Sequence, residues 1–155
     1  MSKRPIPAAG AIAAAVLVLL FGNPPFVDWI RNPNNVDPNS AIGFLLYQLT
    51  WPNWLFTPNG NMNNFVAHGL RALLIVVFVF GILAMVAKGI ASAGVGFIVG
   101  WVALILGAAL AAFLTYFIAD IGGNGSALRA FQAGGSYGLF VGWLVGFVTA
   151  IAKRG

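Results

Sequence analysis

Charged side chains are scarce in this sequence. Only 7% of its 155 residues are charged, eight basic and three acidic, whereas 60% are hydrophobic. A soluble domain carries about 25% charged residues, so this chain has too few of them to cover a surface that faces water. The composition therefore predicts an integral membrane protein that forms one membrane domain, residues 1–155, with the lipid bilayer around it.

Cysteine is absent, and histidine occurs once, at His68. The lack of cysteine excludes disulfides, thiolate metal sites and thiol catalysis. A single histidine supplies neither a multi-ligand zinc site nor a haem held by two histidines. No serine stands in a nucleophile-elbow context either. We therefore expect no catalytic residue, no metal and no cofactor, and predict that the chain is not an enzyme.

Acidic residues are missing from the long apolar segments. Asp28, Asp37 and Asp120 all fall at segment boundaries or in the polar stretch that follows the first segment. A proton-coupled exporter of the small four-helix type holds a carboxylate inside the membrane, where ionisable groups are costly and usually functional. The absence of such a carboxylate argues against a proton-driven carrier.

Long apolar runs dominate what is present, and they predict an all-α fold with four transmembrane helices. Three of the runs reach the roughly 20 residues that cross a bilayer core. The first is shorter, but Gly22-Asn23-Pro24-Pro25 offers no small-x-small cleavage site, which favours a retained helix over a signal peptide. The predicted helices are TM1 at about 7–22, TM2 at about 68–87, TM3 at about 91–119 and TM4 at about 133–152.

The stretch 23–66 differs in character, because it is rich in asparagine and proline, which favour turns. Tryptophan and tyrosine are scattered through it, and both residue types favour the membrane–water boundary. We predict an ordered outer cap between TM1 and TM2, with a short interfacial helix at about 41–51 that begins after Ser40. The predicted interfacial aromatics are Trp29, Tyr47, Trp51 and Trp54.

Basic residues set the expected orientation, because cytoplasmic loops carry the excess of lysine and arginine. With the N-terminus inside, the cytoplasmic side carries five basic residues and no acidic one: Lys3, Arg4, Lys88, Lys153 and Arg154. An even number of crossings then returns the C-terminus to the same side. We expect a multi-pass protein of the bacterial inner membrane with cytoplasmic termini. Membrane orientation explains the basic charge, so no nucleic-acid partner is expected.

Small residues recur along one face of each of the last two predicted helices. Such faces let helix backbones approach closely in lipid, and they predict packing of the glycine-zipper type. One interpretation packs TM3 against TM4 within the chain, and the other lets at least one face receive a helix of another protein. The predicted packing or partner residues are Gly96, Gly100 and Gly107 in TM3 and Gly134, Gly138, Gly142 and Gly146 in TM4.

Arg71 is the most conspicuous single residue. It lies one turn into TM2, three residues after His68 and so on the same helix face. Asp120 follows TM3 at the expected depth, which predicts an Arg71–Asp120 ion pair at the outer end of the helices. Two alternatives stay open: Arg71 and His68 bind an anionic lipid headgroup or substrate, or Arg71 extends to the interface.

These observations favour a non-catalytic accessory or stabilising subunit of a larger inner-membrane complex. Candidate hosts are a lipid or solute transporter and a respiratory complex, so the expected partners are the bilayer and other membrane subunits. The alternative is a self-contained homo-oligomeric channel or lipid-handling carrier, in which glycine-rich helices pack around a pore. An intramembrane enzyme ranks third, because no nucleophile–base pair is available.

Overall fold

The computed structural model describes residues 5–58, 61–118 and 126–154 and is helical, without β-strands, over these ranges. Its elements in chain order are α1 (Ile6–Phe21), α2 (Pro24–Arg31), α3 (Ala41–Leu49), α4 (Met62–Val86), a 3-10 turn (Ala87–Gly89), α5 (Ala93–Tyr116) and α6 (Ala127–Arg154). The predicted TM1 to TM4 correspond to α1, α4, α5 and α6, and the predicted cap contains α2 and α3.

Three segments are long and apolar enough to cross a membrane: Met62–Gly89, Ala93–Tyr116 and Ala127–Arg154. The pair α1 and α2 meets the same criteria as one broken span, with a bend of 59° between the two helices. Within the described ranges there are therefore three helices of membrane-spanning character, or four when the bent pair counts as one span. This is compatible with a multi-pass membrane protein.

Asparagine and serine side chains define where several helices begin. Asn23, Ser40, Asn61 and Ser92 each accept a hydrogen bond from the backbone N–H three residues ahead, at 2.9, 2.9, 3.1 and 3.3 Å. Such N-caps satisfy one of the free donors of the first helical turn. Ser126 does the same for α6, accepting from the Arg129 N–H at 3.2 Å.

Two helices start earlier than their apolar cores. α4 begins at Met62 rather than at about 68, and α6 begins at Ala127 rather than at about 133. The added turns carry polar residues such as Asn64 and Arg129, which hydropathy excludes from a span although they fit a helix. These turns extend both helices beyond their apolar segments.

The four long helices pack as a closed group, with the largest contact between α5 and α6. α4 packs on α5, and α1 packs on both α4 and α6. The centre is filled by fully buried apolar side chains, which include Ile75, Val79, Leu83, Leu104 and Val145. In the part of the chain that the structure describes, these side chains form one hydrophobic core.

The two ends of the bundle carry different parts of the chain. Gly10 of α1 packs against Leu83 near the end of α4 and against Thr149 near the end of α6. This end therefore also carries Lys88 and the last turn of α6, with Lys153 and Arg154. The opposite end carries α2, α3 and the segment that leads into α4.

Candidate functional site

An irregular segment, residues 51–55, ties the end of α1 to the start of α4. The Trp54 backbone N–H donates to the Gly22 carbonyl at 3.0 Å, and its indole N–H donates to the Val18 carbonyl at 3.3 Å. A Cβ on Gly22 would lie 2.8 Å from the Pro52 carbonyl oxygen, so only glycine permits this approach. On the other side, the Asn53 carbonyl lies 3.0 Å from Nδ1 of His68 on α4.

Arg71 lies under this segment. One terminal nitrogen of its guanidinium lies 3.2 Å from the Asn53 side-chain oxygen and 2.9 Å from His68 Nδ1. The guanidinium carbon lies 4.8 Å from the centre of the Trp51 ring, a cation–π distance. Its Nε is buried and makes no hydrogen bond with any described residue. Neutral groups therefore hold the Arg71 side chain in place, and not all of its N–H donors have an acceptor among the described residues.

His68 accepts at most one hydrogen bond from Arg71. Its Nδ1 faces both the Arg71 terminal nitrogen and the Asn53 carbonyl. A neutral imidazole nitrogen either accepts or donates, so Nδ1 accepts from Arg71 or donates to Asn53, but not both. When His68 Nδ1 carries the hydrogen and donates to the Asn53 carbonyl, the Asn53 side-chain oxygen is the one hydrogen-bond acceptor that Arg71 has among the described residues.

Positive charge accumulates at this end of α4. Arg31, in the last turn of α2, is close enough for its charge to act on both His68 and Arg71. No carboxylate of the described residues acts on Arg71 in the same way, and Asp28 and Asp37 are exposed in the cap. Asp120 lies outside the described residues, so the Arg71–Asp120 ion pair stays a prediction.

A pocket of about 150 Å³ opens beside Arg71, between the ends of α4, α5 and α6 that lie next to the 51–55 segment. We call it the Arg71 pocket. Its polar groups include His68, Arg71 and Thr115, and Trp51 forms part of its border. Alanines make up most of the remaining wall: Ala67, Ala112, Ala130 and Ala133. Small side chains therefore leave free space next to a guanidinium that has unused donors.

A second and larger cavity of about 490 Å³ lies between α1 and α4, and we call it the α1–α4 groove. Trp54, Leu55 and Phe65 border it toward the cap. Its other lining residues are Ala15, Val18 and Leu19 from α1 and Val66, Gly69, Ala72, Leu73 and Val76 from α4. No lining residue is charged, so the groove suits hydrocarbon or an apolar helix and excludes polar ligands.

The glycines of α6 face α5 within the same chain. A Cβ on Gly142 would lie 2.6 Å from the Trp101 ring, and one on Gly146 would lie 2.5 Å from the Phe97 carbonyl. Gly134 and Gly138 meet the backbones of Ala108 and Ile105 more closely still. The α6 face that was a candidate for a partner helix is therefore occupied by α5.

The glycines of α5 divide between two neighbours. Gly96 and Gly100 meet Thr149 of α6, and the Thr149 hydroxyl donates to the Gly96 carbonyl at 2.6 Å. Gly107 instead faces α4, where an added Cβ would lie 3.2 Å from a Val79 methyl. One face of α5 thus packs in turn against α6 and α4.

The four interfacial aromatics take different positions. Trp29 on α2 is 52% exposed, and Tyr47 on α3 is half-buried. Trp51 and Trp54 are also half-buried and pack against α4, α6 and α1 through the contacts of the 51–55 segment.

Sequence reasoning did not single out Asn53 or place Tyr137 in the site. Asn53 contacts Arg71 from 18 positions away along the chain, and its neighbours Pro52 and Trp54 signal only a turn. Tyr137 is fully buried and stacks on Trp51. A tyrosine inside an apolar helix is a weak signal that its ring has a specific partner.

Over the described ranges, no group of three or more histidine, cysteine, aspartate or glutamate residues is placed to hold a metal ion. Comparison of the chain with protein-family models, with curated proteins and with solved structures gave no match in any of the three.

Proposed function

We propose that the chain crosses the bacterial inner membrane four times, with cytoplasmic termini and an outer cap between α1 and α4, and that it acts as a non-catalytic subunit of a larger membrane complex. The topology rests on the charge difference between the bundle ends. Lys88, Lys153 and Arg154 share one end, and the sequence adds Lys3 and Arg4 just before α1, whereas Arg31, Arg71 and Arg129 are the basic residues toward the other. The positive-inside rule assigns the first end to the cytoplasm.

The observation that carries the subunit proposal is the α1–α4 groove. Its floor includes Ala15, Gly69 and Ala72, and small residues let a partner helix bring its backbone close in lipid. A Cβ added to Gly69 meets nothing within 4 Å. The space beside the glycines of the α5–α6 contact is instead occupied by atoms of the same chain. The proposed occupant is an apolar transmembrane helix of a partner subunit.

The lining of the groove does not suggest a polar ligand or a catalytic role. It lacks a charged or hydroxyl-bearing lining residue, and so it offers nothing to hold a polar substrate or to transfer a proton. An apolar helix would bury these side chains by van der Waals packing, which drives helix association in membranes.

Filling the groove tests the proposal. Gly69→Leu places a branched side chain in the groove without meeting atoms of its own chain at Cβ. Gly81→Leu is the matched control, because Gly81 lies on the same helix, outside the groove lining, and is equally open. Tagged wild type and both variants are purified from native membranes in mild detergent, and co-purifying proteins are quantified.

We expect a partner in fixed proportion with the wild type and with Gly81→Leu, and at least a severalfold loss of it with Gly69→Leu. Equal recovery with both variants would place the partner on another face of the bundle. If the wild type purifies without a partner, as a symmetric oligomer of this chain, the subunit proposal fails.

A lipid-handling carrier is the second candidate, favoured by a groove whose lining is entirely apolar and which therefore also suits an acyl chain. A channel is less well supported, because Ile75, Val79 and Leu83 fill the bundle centre, so a pore would have to lie between copies. Transfer of labelled lipid, or ion flux, by the purified protein in liposomes would favour this class over the subunit.

A further inference from the structure

We propose that the Arg71 pocket binds a phosphate group, held by Arg71 and His68 at the outer end of α4. This inference goes beyond the subunit proposal and does not depend on it. The same chemistry has two sources, the phosphate of an anionic lipid headgroup and free inorganic phosphate, and the experiment below separates them.

The first argument is the state of the guanidinium. A guanidinium has five N–H donors, yet the hydrogen bonds of Arg71 with described residues involve one terminal nitrogen only. Nε is buried without a partner. The other terminal nitrogen makes no hydrogen bond with a described residue, and the two terminal nitrogens form a planar edge that binds the oxygens of an oxyanion in parallel. Arg71 thus has the donors that such a ligand needs.

The second argument is uncompensated charge. Arg31 adds positive charge near His68 and Arg71, and within the described ranges no carboxylate balances it. A buried charge is costly unless it is paired. The neighbours that hold Arg71, Trp51 and Asn53, are neutral. An anion in the adjacent pocket would supply the missing countercharge.

The third argument is space. The pocket of about 150 Å³ is far larger than the roughly 10–15 Å³ that a single water requires. Its alanine walls leave this room beside Arg71 rather than filling it. His68 also lines the pocket, and when its Nδ1 accepts from Arg71 its Nε2 carries a hydrogen that is available as a second donor. Free space and hydrogen-bond donors therefore lie together beside Arg71.

The competing occupant is the carboxylate of Asp120, which the sequence predicts to pair with Arg71. If that carboxylate neutralises the guanidinium, a phosphate would find the charge already satisfied. Asp120→Asn distinguishes the two cases, because it releases the site only if Asp120 occupies it.

Binding is measured on the full chain by native mass spectrometry and by thermal shift. Protein from nanodiscs of phosphatidylglycerol or phosphatidylcholine is examined for retained lipid, and delipidated protein in a neutral detergent is titrated with inorganic phosphate. The variants are Arg71→Gln, Ala133→Leu, Asp120→Asn and Lys153→Gln. Ala133→Leu fills the pocket from its exposed rim and keeps Arg71, so the test survives if Arg71→Gln fails to fold. Lys153→Gln removes an exposed charge at the other end of the bundle.

We expect the wild type to bind one phosphate-bearing ligand, with affinity reduced about tenfold or more in Arg71→Gln and Ala133→Leu and unchanged in Lys153→Gln. Selective retention of phosphatidylglycerol without a response to inorganic phosphate assigns the site to a lipid headgroup, and a response to inorganic phosphate in delipidated protein assigns it to the free ion. Equal binding by wild type and Ala133→Leu would overturn the proposal. So would binding that appears only in Asp120→Asn.

Discussion

The rings of Trp51 and Tyr137 stack with their centroids 5.3 Å apart and their planes inclined by 26°. Trp51 also contacts the Arg71 guanidinium, so one indole joins the 51–55 segment to both α4 and α6. Tyr137 is completely buried by this arrangement. Packing at this end of the bundle therefore depends on a residue that lies outside every described helix.

Trp51→Ala should destabilise the protein by about 3 kcal/mol, in the range for removal of a large packed aromatic ring. The change removes both the stacking on Tyr137 and the cation–π contact with Arg71. Reversible unfolding in mixed micelles measures the loss. Trp29→Ala is the matched control, because Trp29 is 52% exposed, and it should change stability much less. Equal losses in the two variants would contradict the role given to Trp51.

Tyr137→Phe should leave stability unchanged or raise it by up to about 1 kcal/mol. The Tyr137 hydroxyl is buried and has no hydrogen-bond partner among the described residues, and an unsatisfied buried polar group costs free energy. Phenylalanine keeps the ring and its stacking on Trp51. The same unfolding assay applies, and a clear loss of stability would reveal a partner for the hydroxyl.

Glycine-to-alanine changes should have opposite effects at two positions. At Gly138 the new methyl would collide with the Ile105 backbone, and we expect a loss of about 1–3 kcal/mol. At Gly81 the methyl meets nothing within 4 Å, and the higher helix propensity of alanine should leave stability unchanged or raise it by up to about 1 kcal/mol. Losses of the same size at both positions would contradict the α5–α6 contact.

The same close contact makes leucine substitution of the α6 glycines unsuitable as a test of function. A Gly138→Leu, Gly142→Leu double variant would collide with Ile105 and Trp101 inside the chain. It would therefore lose activity whether the protein is a subunit or a channel. Gly69→Leu separates these hypotheses better, because its Cβ has open space.

The absence of cysteine makes the proposed topology directly measurable. Asn35→Cys in the exposed cap and Lys153→Cys at the end of α6 each create a single thiol on an otherwise cysteine-free chain. In intact spheroplasts an impermeant maleimide should label the first and spare the second, whereas inverted vesicles should give the reverse pattern. Labelling of both positions from the same side would overturn the four-pass topology.

The sequence alone located much of the fold because its signals are local. Apolar runs identify the long helices, and residues such as Ser40 identify a helix start through a side chain three positions from the amide it caps. Small-residue spacing indicated a packing face on α5 and offered α6 as one neighbour, but it did not indicate that Gly107 faces α4.

The Arg71 surroundings were less accessible to sequence reasoning, since they depend on contacts between distant positions. Asn53 and Trp51 reach Arg71 from an irregular segment whose path no periodicity describes. The sequence predicted an Arg71–Asp120 ion pair and left open an anionic ligand or a position in which Arg71 extends to the interface. It did not indicate that neutral groups would surround the guanidinium.

The bend after Phe21 limits the length of α1. Its 16 residues rise about 24 Å, at about 1.5 Å per residue, against a hydrocarbon core of about 30 Å. α4, with 25 residues, is long enough for the full thickness. If α1 crosses as proposed, the bundle has a hydrophobic mismatch on one side only, and the bilayer should thin locally beside the α1–α4 groove. Lipids with short acyl chains, or a partner helix with an equally short span, would then be favoured at that side.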